Sequence, residues 1–214
     1  LVDGIGVYPG QEEELLINDI YKQYDAVAEL LSQVPDYVKM VIAPGNHDAV
    51  RLLEPQPALG NGVAPALLDL EPVMVGNPAW LLIHGTKFLV YHGRSYDDLI
   101  SADSTLNRED SVSPMVKLLR KRHLAPIYGE PMGGRTPLAP EERDYLVIED
   151  VPDVFHCGHL HVYGCGKYRG VVLVNSATFQ ERTIYMKRLG ARPTPGIVPV
   201  VDLQTNHVRA IRFA

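Results

Sequence analysis

The sequence lacks the features that mark a membrane protein or a disulfide-rich secreted protein. Its 214 residues include only two cysteines and one tryptophan, and two thiols are too few for a disulfide framework, which fits a cytosolic protein. No apolar run approaches the roughly 18 residues of a membrane-spanning helix. The first ten residues have neither the basic start nor the apolar stretch of a signal peptide. We therefore expect a cytoplasmic protein that has no membrane segment.

An excess of positive charge is also absent. The 20 Lys and Arg residues are outnumbered by 26 Asp and Glu residues, which gives a formal net charge of -6. This balance argues against a protein that coats nucleic acid nonspecifically, although a local basic groove is compatible with it, because steering depends on where charges lie. Hydrophobic residues make up 46% and charged residues 21%, so we expect one folded domain over residues 1–214.

An initiator methionine is missing as well. The chain opens on Leu1-Val2-Asp3-Gly4, a pattern typical of the end of a buried strand. We therefore expect the sequence to be a fragment whose first strand or strands precede residue 1.

Hydrophobic periodicity predicts a mixed α/β chain. Apolar residues recur at helical spacing over residues 12–34, which predicts an amphipathic helix of about six turns. Ser113-Pro114 carries the signals of a second helix start, and this helix should run to about residue 122. Gly85-Thr86 favours a tight turn, and residues 128–143 are irregular, with an open role. Strands are predicted at residues 38–43, 72–75, 80–83, 87–91, 153–157, 170–174, 197–203 and 208–213.

Three short motifs each follow a predicted strand and carry groups that bind metals. The motifs are Gly45-Asn46-His47-Asp48, His92-Gly93 and Gly158-His159-Leu160-His161. In open α/β sheets, ligand-binding groups gather beyond the carboxyl ends of strands. We therefore expect the three loops to converge in space.

The residue types in these motifs indicate a particular chemistry. Imidazole nitrogens with carboxylate and amide oxygens suit manganese, iron or zinc, and two such ions about 3.5–4 Å apart can clamp a phosphate and activate a water. His47, beside Asn46, would then donate a proton or stabilise the transition state. The spacing and chemistry alone predict two-metal hydrolysis of a phosphoester.

Other polar residues have a plainer interpretation. His84 and His207 are typical of strand or turn histidines, and Cys157 of a buried thiol. His156, on the strand before His159, is interpreted as a core residue or as a group that orients the ligands. A last set forms either a solvated helix end or a contact with DNA phosphates or a partner protein: Arg120, Lys121 and Arg122.

The three motifs resemble those of the calcineurin-like metallophosphoesterase superfamily. Longer segments resemble, over essentially the whole chain, the small subunits of archaeal D-family DNA polymerases. The segments are LVDGIGVYPGQEE (1–13), YHGRS (91–95), RHLAPIY (122–128), residues 137–148 and NSATFQERT (175–183).

The resemblance implies a fold, an activity and partners. The fold would be a four-layer α/β/β/α sandwich with two mixed sheets, here without its first strand or strands and without the family's upstream oligonucleotide-binding domain. The activity would be a proofreading 3′–5′ exonuclease that acts on a DNA 3′ end beside a large catalytic polymerase subunit. Two other functions stay open: an architectural subunit without chemistry, and a general metallophosphoesterase.

The resemblance also implies roles for individual residues. Asn46, His92 and His159 would bind one of two divalent ions and His161 the other, with manganese expected ahead of iron, zinc or magnesium. His47 would be the catalytic histidine. Four residues would support the ligands or face the substrate: Asp3, Asp48, Arg94 and His156. Because the family's upstream metal-binding aspartates and histidine are missing, we expect the fragment by itself to be inactive.

Overall fold

In the computed structural model, which describes residues 2–127 and 136–213, the chain divides into two units, Leu1–Asn77 and Pro78–Ala214. The first unit is built around one long helix. Its elements are a 3-10 turn at Gln11–Glu13, α1 (Ile20–Leu31), β1 (Val41–Ile42), α2 (Pro65–Leu68) and β2 (Val73–Met74). The strands β1 and β2 pair in parallel, and α1 packs with α2 and β1 around a buried cluster that includes Tyr24, Ile42 and Leu67.

The helix predicted over residues 12–34 is wrong in extent. Asp19 begins α1, because its Oδ1 accepts hydrogen bonds from the backbone N–H groups of Tyr21 (2.9 Å) and Lys22 (3.1 Å). Asp19 itself has an extended backbone, so the helix does not continue upstream. Leu16, predicted on the apolar face, is 99% exposed.

The second unit contains a mixed five-stranded sheet. The elements of this unit are β3 (Ala79–Ile83), β4 (Thr86–Tyr91), α3 (Tyr96–Ala102), α4 (Val112–Lys121), β5 (Val154–Cys157), β6 (Tyr163–Tyr168), β7 (Val171–Ser176), α5 (Ile184–Arg188), β8 (Ile197–Asp202) and β9 (His207–Arg212). The strands of the sheet follow the spatial order β3-β4-β5-β7-β6, with β4, β5 and β7 parallel and the two outer strands antiparallel to their neighbours.

The two faces of this sheet are covered differently. Alternate residues point to opposite faces of a strand, and Leu89, Phe155 and Leu173 lie in register on the face that packs against α3 and α4. Val154 and Val172 lie on the other face, which packs against the β8–β9 hairpin. The second unit therefore has a helix layer, a sheet layer and a hairpin layer. The predicted α/β class is confirmed, and a four-layer sandwich stays a prediction.

Most predicted strands are confirmed to within two residues, but several details are corrected. The strand predicted at 38–43 shortens to β1. The tight turn between β3 and β4 is His84-Gly85, both with positive φ (48° and 84°), since Ile83 pairs with Thr86. Helix α4 begins at Val112, two residues before Pro114, the predicted first helical residue, because the Asp110 carboxylate accepts from the N–H groups of Val112 and Ser113.

Of the irregular segment predicted at residues 128–143, residues 128–135 lie outside the described part. The Thr136 N–H and hydroxyl donate to Asp98 Oδ2 at 2.9 and 2.7 Å.

Nowhere in residues 2–127 and 136–213 is there a helix long and apolar enough to span a bilayer.

Candidate functional site

His92 and the 158–161 loop lie at the carboxyl ends of adjacent parallel strands. Tyr91, the last residue of β4, pairs in register with Cys157, the last residue of β5. The Gly158 N–H then donates to the His92 carbonyl at 3.0 Å. Two of the three motifs that were expected to converge therefore meet at one edge of the sheet.

Gly93 turns the chain from His92 directly into α3. Its φ is 107°, and a Cβ here would lie 2.9 Å from Cε2 of Tyr96. Tyr96 is fully buried at the start of α3, so its ring has no room to withdraw. Only glycine meets both the backbone and the steric requirement, and the result is that the first turn of α3 begins beside His92.

The 158–161 loop has an unusual backbone and is fixed at both ends. His159 and His161 have φ angles of 68° and 59°, which non-glycine residues seldom adopt and which are common at functional sites. Before the loop, the buried Asn175 side chain donates to the Gly158 carbonyl at 2.8 Å. After it, the Thr194 N–H donates to the His161 carbonyl at 2.8 Å.

The imidazoles of His92 and His159 face each other. His159 Nδ1 lies 3.3 Å from His92 Nε2, with the ring centroids 5.1 Å apart and the ring planes at 74°. Two nitrogens that bind one tetrahedral ion at about 2.0–2.1 Å lie about 3.3 Å from each other. The pair therefore fits two ligands of one metal ion.

Asp97, in the first turn of α3, contacts the opposite side of the His159 ring. Its Oδ2 lies 2.9 Å from His159 Nε2, and its Oδ1 lies 2.6 Å from an Arg108 guanidinium nitrogen. Burial alone would raise the pKa of Asp97, but the hydrogen bond and charge of His159 and the charge of Arg108 outweigh burial and lower this pKa to about 2. Asp97 is therefore a stable anion beside the two imidazoles.

No group of three or more His, Cys, Asp or Glu side chains that could hold a metal ion is present in the described residues. His92 and His159 thus provide two donor nitrogens for a metal ion. A complete metal site also needs donors of another residue type, or donors from residues that the structure does not describe. Amide oxygens such as that of Asn46 are compatible with manganese or magnesium.

The Gly45-Asn46-His47-Asp48 motif lies in the first unit and is held by its own aspartate. Asp48 Oδ2 accepts from the Gly45 N–H at 2.7 Å, and Oδ1 accepts from the Tyr24 hydroxyl at 2.8 Å. That hydroxyl in turn accepts from the Ala49 N–H at 2.9 Å. Burial and then the Asp48 charge raise the pKa of Tyr24 well above its usual value. Asp48 therefore fixes the turn that carries Asn46 and His47.

His47 is oriented by the backbone of Asp3. The Asp3 carbonyl accepts from His47 Nδ1 at 2.8 Å, which requires a proton on Nδ1. Gln11 also donates to this carbonyl at 2.8 Å, and Gln23 bonds both the N–H and the carbonyl of Gly4. The Asp3 backbone thus contributes to the site, whereas a substrate-facing role for its side chain stays a prediction.

Two further predicted residues lie beside the histidine loops. Arg94 follows Gly93, and its Nε is buried without a hydrogen-bond partner among the residues that the structure describes. His156 lies on the sheet face shared with Val154, since strand neighbours alternate, and burial lowers its pKa. His156 therefore lies on the face of the sheet that packs against the hairpin, and both of its interpretations stay predictions. Burial also raises the pKa of the Cys157 thiol, which fits the predicted inert thiol.

At the basic end of α4, the side chain of Arg122 is held by contacts within the fold. Arg122 has a φ of 55°, and its side chain donates to the carbonyls of Ile148 (2.7 Å) and Glu149 (2.6 Å). Arg120 and Lys121 are exposed. Contact of these three residues with DNA or a partner stays a prediction.

Three residues that support the motifs are not identified by sequence reasoning: Tyr24, Asp97 and Asn175. The pattern around Tyr24 indicates only core packing in the first helix. No local pattern identifies Asp97, because its partners His159 and Arg108 are 62 and 11 residues away. Asn175 carries a signal of its own, as a polar residue at the end of a buried strand.

A family model that describes the B subunits of DNA polymerases alpha and epsilon matches residues 14–165. Among curated proteins, the DNA polymerase II small subunit of Archaeoglobus fulgidus is 54% identical over 200 residues, which cover 94% of this chain and 40% of that protein. The DNA polymerase II small subunit of Methanocaldococcus jannaschii is 50% identical over 95% of this chain and 34% of that protein. This chain thus spans well under half the length of these relatives.

A solved structure described as a novel archaeal phosphodiesterase also shows some likeness. It superposes with a TM-score of 0.45 and 15% sequence identity, over 88% of this chain and 76% of that chain.

Proposed function

The chain belongs to the family of DNA polymerase alpha/epsilon B subunits, and on this premise we propose that it is the nuclease part of the small subunit of an archaeal D-family DNA polymerase. In this proposal it hydrolyses phosphodiesters at DNA 3′ ends with two divalent ions, preferably manganese, and proofreads in the cytoplasm for a large catalytic subunit. The likeness to archaeal DNA polymerase II small subunits supports the polymerase assignment. The observation that carries the nuclease assignment is the 3.3 Å separation of His92 Nε2 and His159 Nδ1.

The metal ligands in this proposal are those that the resemblance implies. His92, His159 and Asn46 hold one ion, and His161 contributes to the second. Ions at such a site supply charge neutralisation at the phosphate and activation of the attacking water. The protein residues orient these donors: Asp97 fixes the ring of His159, and Asp48 fixes the turn before His47.

His47 transfers the proton in this proposal. Nδ1–H donates to the Asp3 carbonyl. In its imidazolium form His47 would carry a second proton on Nε2, and this proton would pass to the leaving oxygen of the phosphodiester. A positioned histidine of this kind contributes about 100- to 10,000-fold to a rate. Arg94 follows His92 and Gly93 in the chain, and its guanidinium provides a charge for a substrate phosphate.

A second candidate function of this chain is to bind the large polymerase subunit and hold it in a complex. The name shared by the relatives, DNA polymerase II small subunit, favours it. The two roles are compatible in one chain, and co-purification with a large polymerase subunit tests the tether independently of any nuclease assay.

The nuclease proposal predicts a specific loss of activity. In the complete natural protein with Mn2+ and 3′-labelled single-stranded DNA, His47→Ala should reduce release of mononucleotides about 100-fold or more. His207→Ala is the matched control, since His207 is an exposed histidine on β9, and it should leave the rate unchanged.

Two results would contradict this proposal. One is that the unaltered protein releases no mononucleotides, and the other is that the His47→Ala protein releases them at the same rate. Hydrolysis of a small chromogenic phosphodiester without hydrolysis of DNA would instead favour a general phosphoesterase.

A further inference from the structure

One of the candidate metal-binding histidines, His159, is paired with an aspartate, and this pair indicates how its ring nitrogens are oriented. The geometry points to Asp97 as the residue that positions His159 as a metal ligand, with Arg108 holding Asp97 in place; this inference rests on the proposed metal-dependent function. The His159 Nε2–Asp97 Oδ2 distance is 2.9 Å, and the Asp97 Oδ1–Arg108 distance is 2.6 Å. Both carboxylate oxygens are therefore engaged, and the carboxylate has little freedom to rotate.

The carboxylate determines which nitrogen of His159 can bind a metal. An ionised carboxylate only accepts hydrogen bonds, so the proton of His159 must lie on Nε2. In the neutral imidazole Nδ1 then carries the lone pair, and Nδ1 is the atom that lies 3.3 Å from His92 Nε2. Metal-binding histidines commonly donate their other N–H to a carboxylate in this manner, which fixes the ring and makes the ligand more basic.

Helix α3 places Asp97 at this point. Tyr96 and Leu99 are buried against the sheet at 0% and 3% exposure, so the first turn of α3 is anchored on either side of Asp97. The next carboxylate, Asp98, is engaged elsewhere by Thr136. Of the two neighbouring aspartates, Asp98 therefore accepts from Thr136, whereas Asp97 contacts His159.

A comparison within the same unit separates a positioning role from a purely structural one. His123 Nε2 lies 2.8 Å from Asp144 Oδ2, nearly the same contact as in the His159–Asp97 pair. However, His123 Nδ1 accepts from the Ala125 N–H at 3.0 Å, so that ring bridges protein groups on both sides. His159 Nδ1 faces a second imidazole instead of a backbone amide. Of these two pairs, His159–Asp97 is the one that turns its second ring nitrogen toward another candidate metal ligand.

The test uses the complete natural protein and two measurements. The first is the affinity for Mn2+ alone, by calorimetry. The second is the protonation pattern of His159 in metal-free protein with 15N-labelled histidine, by NMR.

Asp97→Ala should weaken Mn2+ binding about 10- to 100-fold and remove the preference for a proton on His159 Nε2. Asp97→Glu should restore part of both, and Asp144→Ala, the matched control, should change neither. Asp97→Asn keeps the side-chain volume and should also weaken binding, so a folding defect in Asp97→Ala does not decide the result.

The outcomes separate this inference from the proposed function. If the unaltered protein binds Mn2+ and the Asp97 variants bind it equally well, with His159 still protonated on Nε2, the positioning role is overturned and the nuclease proposal survives. If the unaltered protein binds no Mn2+, both are overturned.

Discussion

Asp48 is the residue on which the Asn46–His47 turn depends. Its two oxygens accept from the Gly45 N–H and from the Tyr24 hydroxyl, and the side chain is only 6% exposed. A buried carboxylate that loses a donor pays the desolvation cost without compensation. The position of the turn therefore depends on a tyrosine that lies 24 residues earlier in the chain.

Tyr24→Phe should destabilise the protein by about 1–3 kcal/mol, because it removes the hydroxyl that donates to Asp48 and accepts from Ala49. The free energy of unfolding in urea measures this change. Tyr21→Phe is the control on the same helix, since Tyr21 is 56% exposed, and it should change stability by less than about 0.5 kcal/mol. Equal effects of the two substitutions would show that the Tyr24 hydroxyl does not support the turn.

At the residue scale, the sequence identified ligand candidates better than their supports. His92 and His159 are predictable because each follows a strand and a glycine is adjacent to each. Their proximity is confirmed at 3.3 Å. Asp97, Tyr24 and Asn175 contact partners that are distant in the sequence and come close only in the folded protein. Their neighbours in the chain therefore do not predict their roles.

At the scale of elements, α3 and α4 are joined by an ion pair. Asp103 directly follows α3, and its Oδ2 lies 2.7 Å from Lys117 Nζ in α4. The hydrogen bond from Lys117 and those from Thr105 hold the pKa of Asp103 well below its usual value. Helix α3 also carries Asp97, so this pair stabilises an element that the candidate site uses.

The lowered pKa of Asp103 predicts a pH dependence of stability. Because the folded pKa is below the unfolded value of about 3.9, the pair stabilises the fold fully above that value and loses its effect as the pH falls toward the folded pKa. Unaltered protein should therefore be more stable than Asp103→Asn at about pH 6, and the difference should shrink by about pH 3.

Urea unfolding at several pH values measures this difference. Asp25→Asn, which removes one negative charge from an exposed position of α1, is the control and should show no comparable pH dependence. A difference between unaltered protein and Asp103→Asn that stays constant from neutral to acidic pH would contradict the assignment.

The strands were predictable from the sequence to a greater degree than the helices. Central strands such as β7 are continuous apolar runs with clear ends, and such a run is sufficient to predict a buried strand. Strand β6 was missed because Gly164 and Gly166 are typical of turns. In the fold, a Cβ on Gly164 would lie 2.2 Å from Ser111 Oγ, so glycine is required for α4 to pack closely on β6. Helix α3 was missed because seven residues are too few for a clear helical period.

At the scale of the whole molecule, the candidate ligands belong to two units. Asn46 and His47 lie within Leu1–Asn77, whereas His92, His159 and His161 lie within Pro78–Ala214. A single domain over residues 1–214 was predicted from composition and stays a prediction. The histidine pair of the metal site that we propose lies within the second unit.

The most direct test of the central claim is to locate manganese in crystals of the complete natural protein by anomalous diffraction at the manganese edge. We predict a peak about 2 Å from both His92 Nε2 and His159 Nδ1. Manganese bound elsewhere, with these two nitrogens contacting no metal, would contradict the claim that His92 and His159 form the core of a metal-dependent nuclease site.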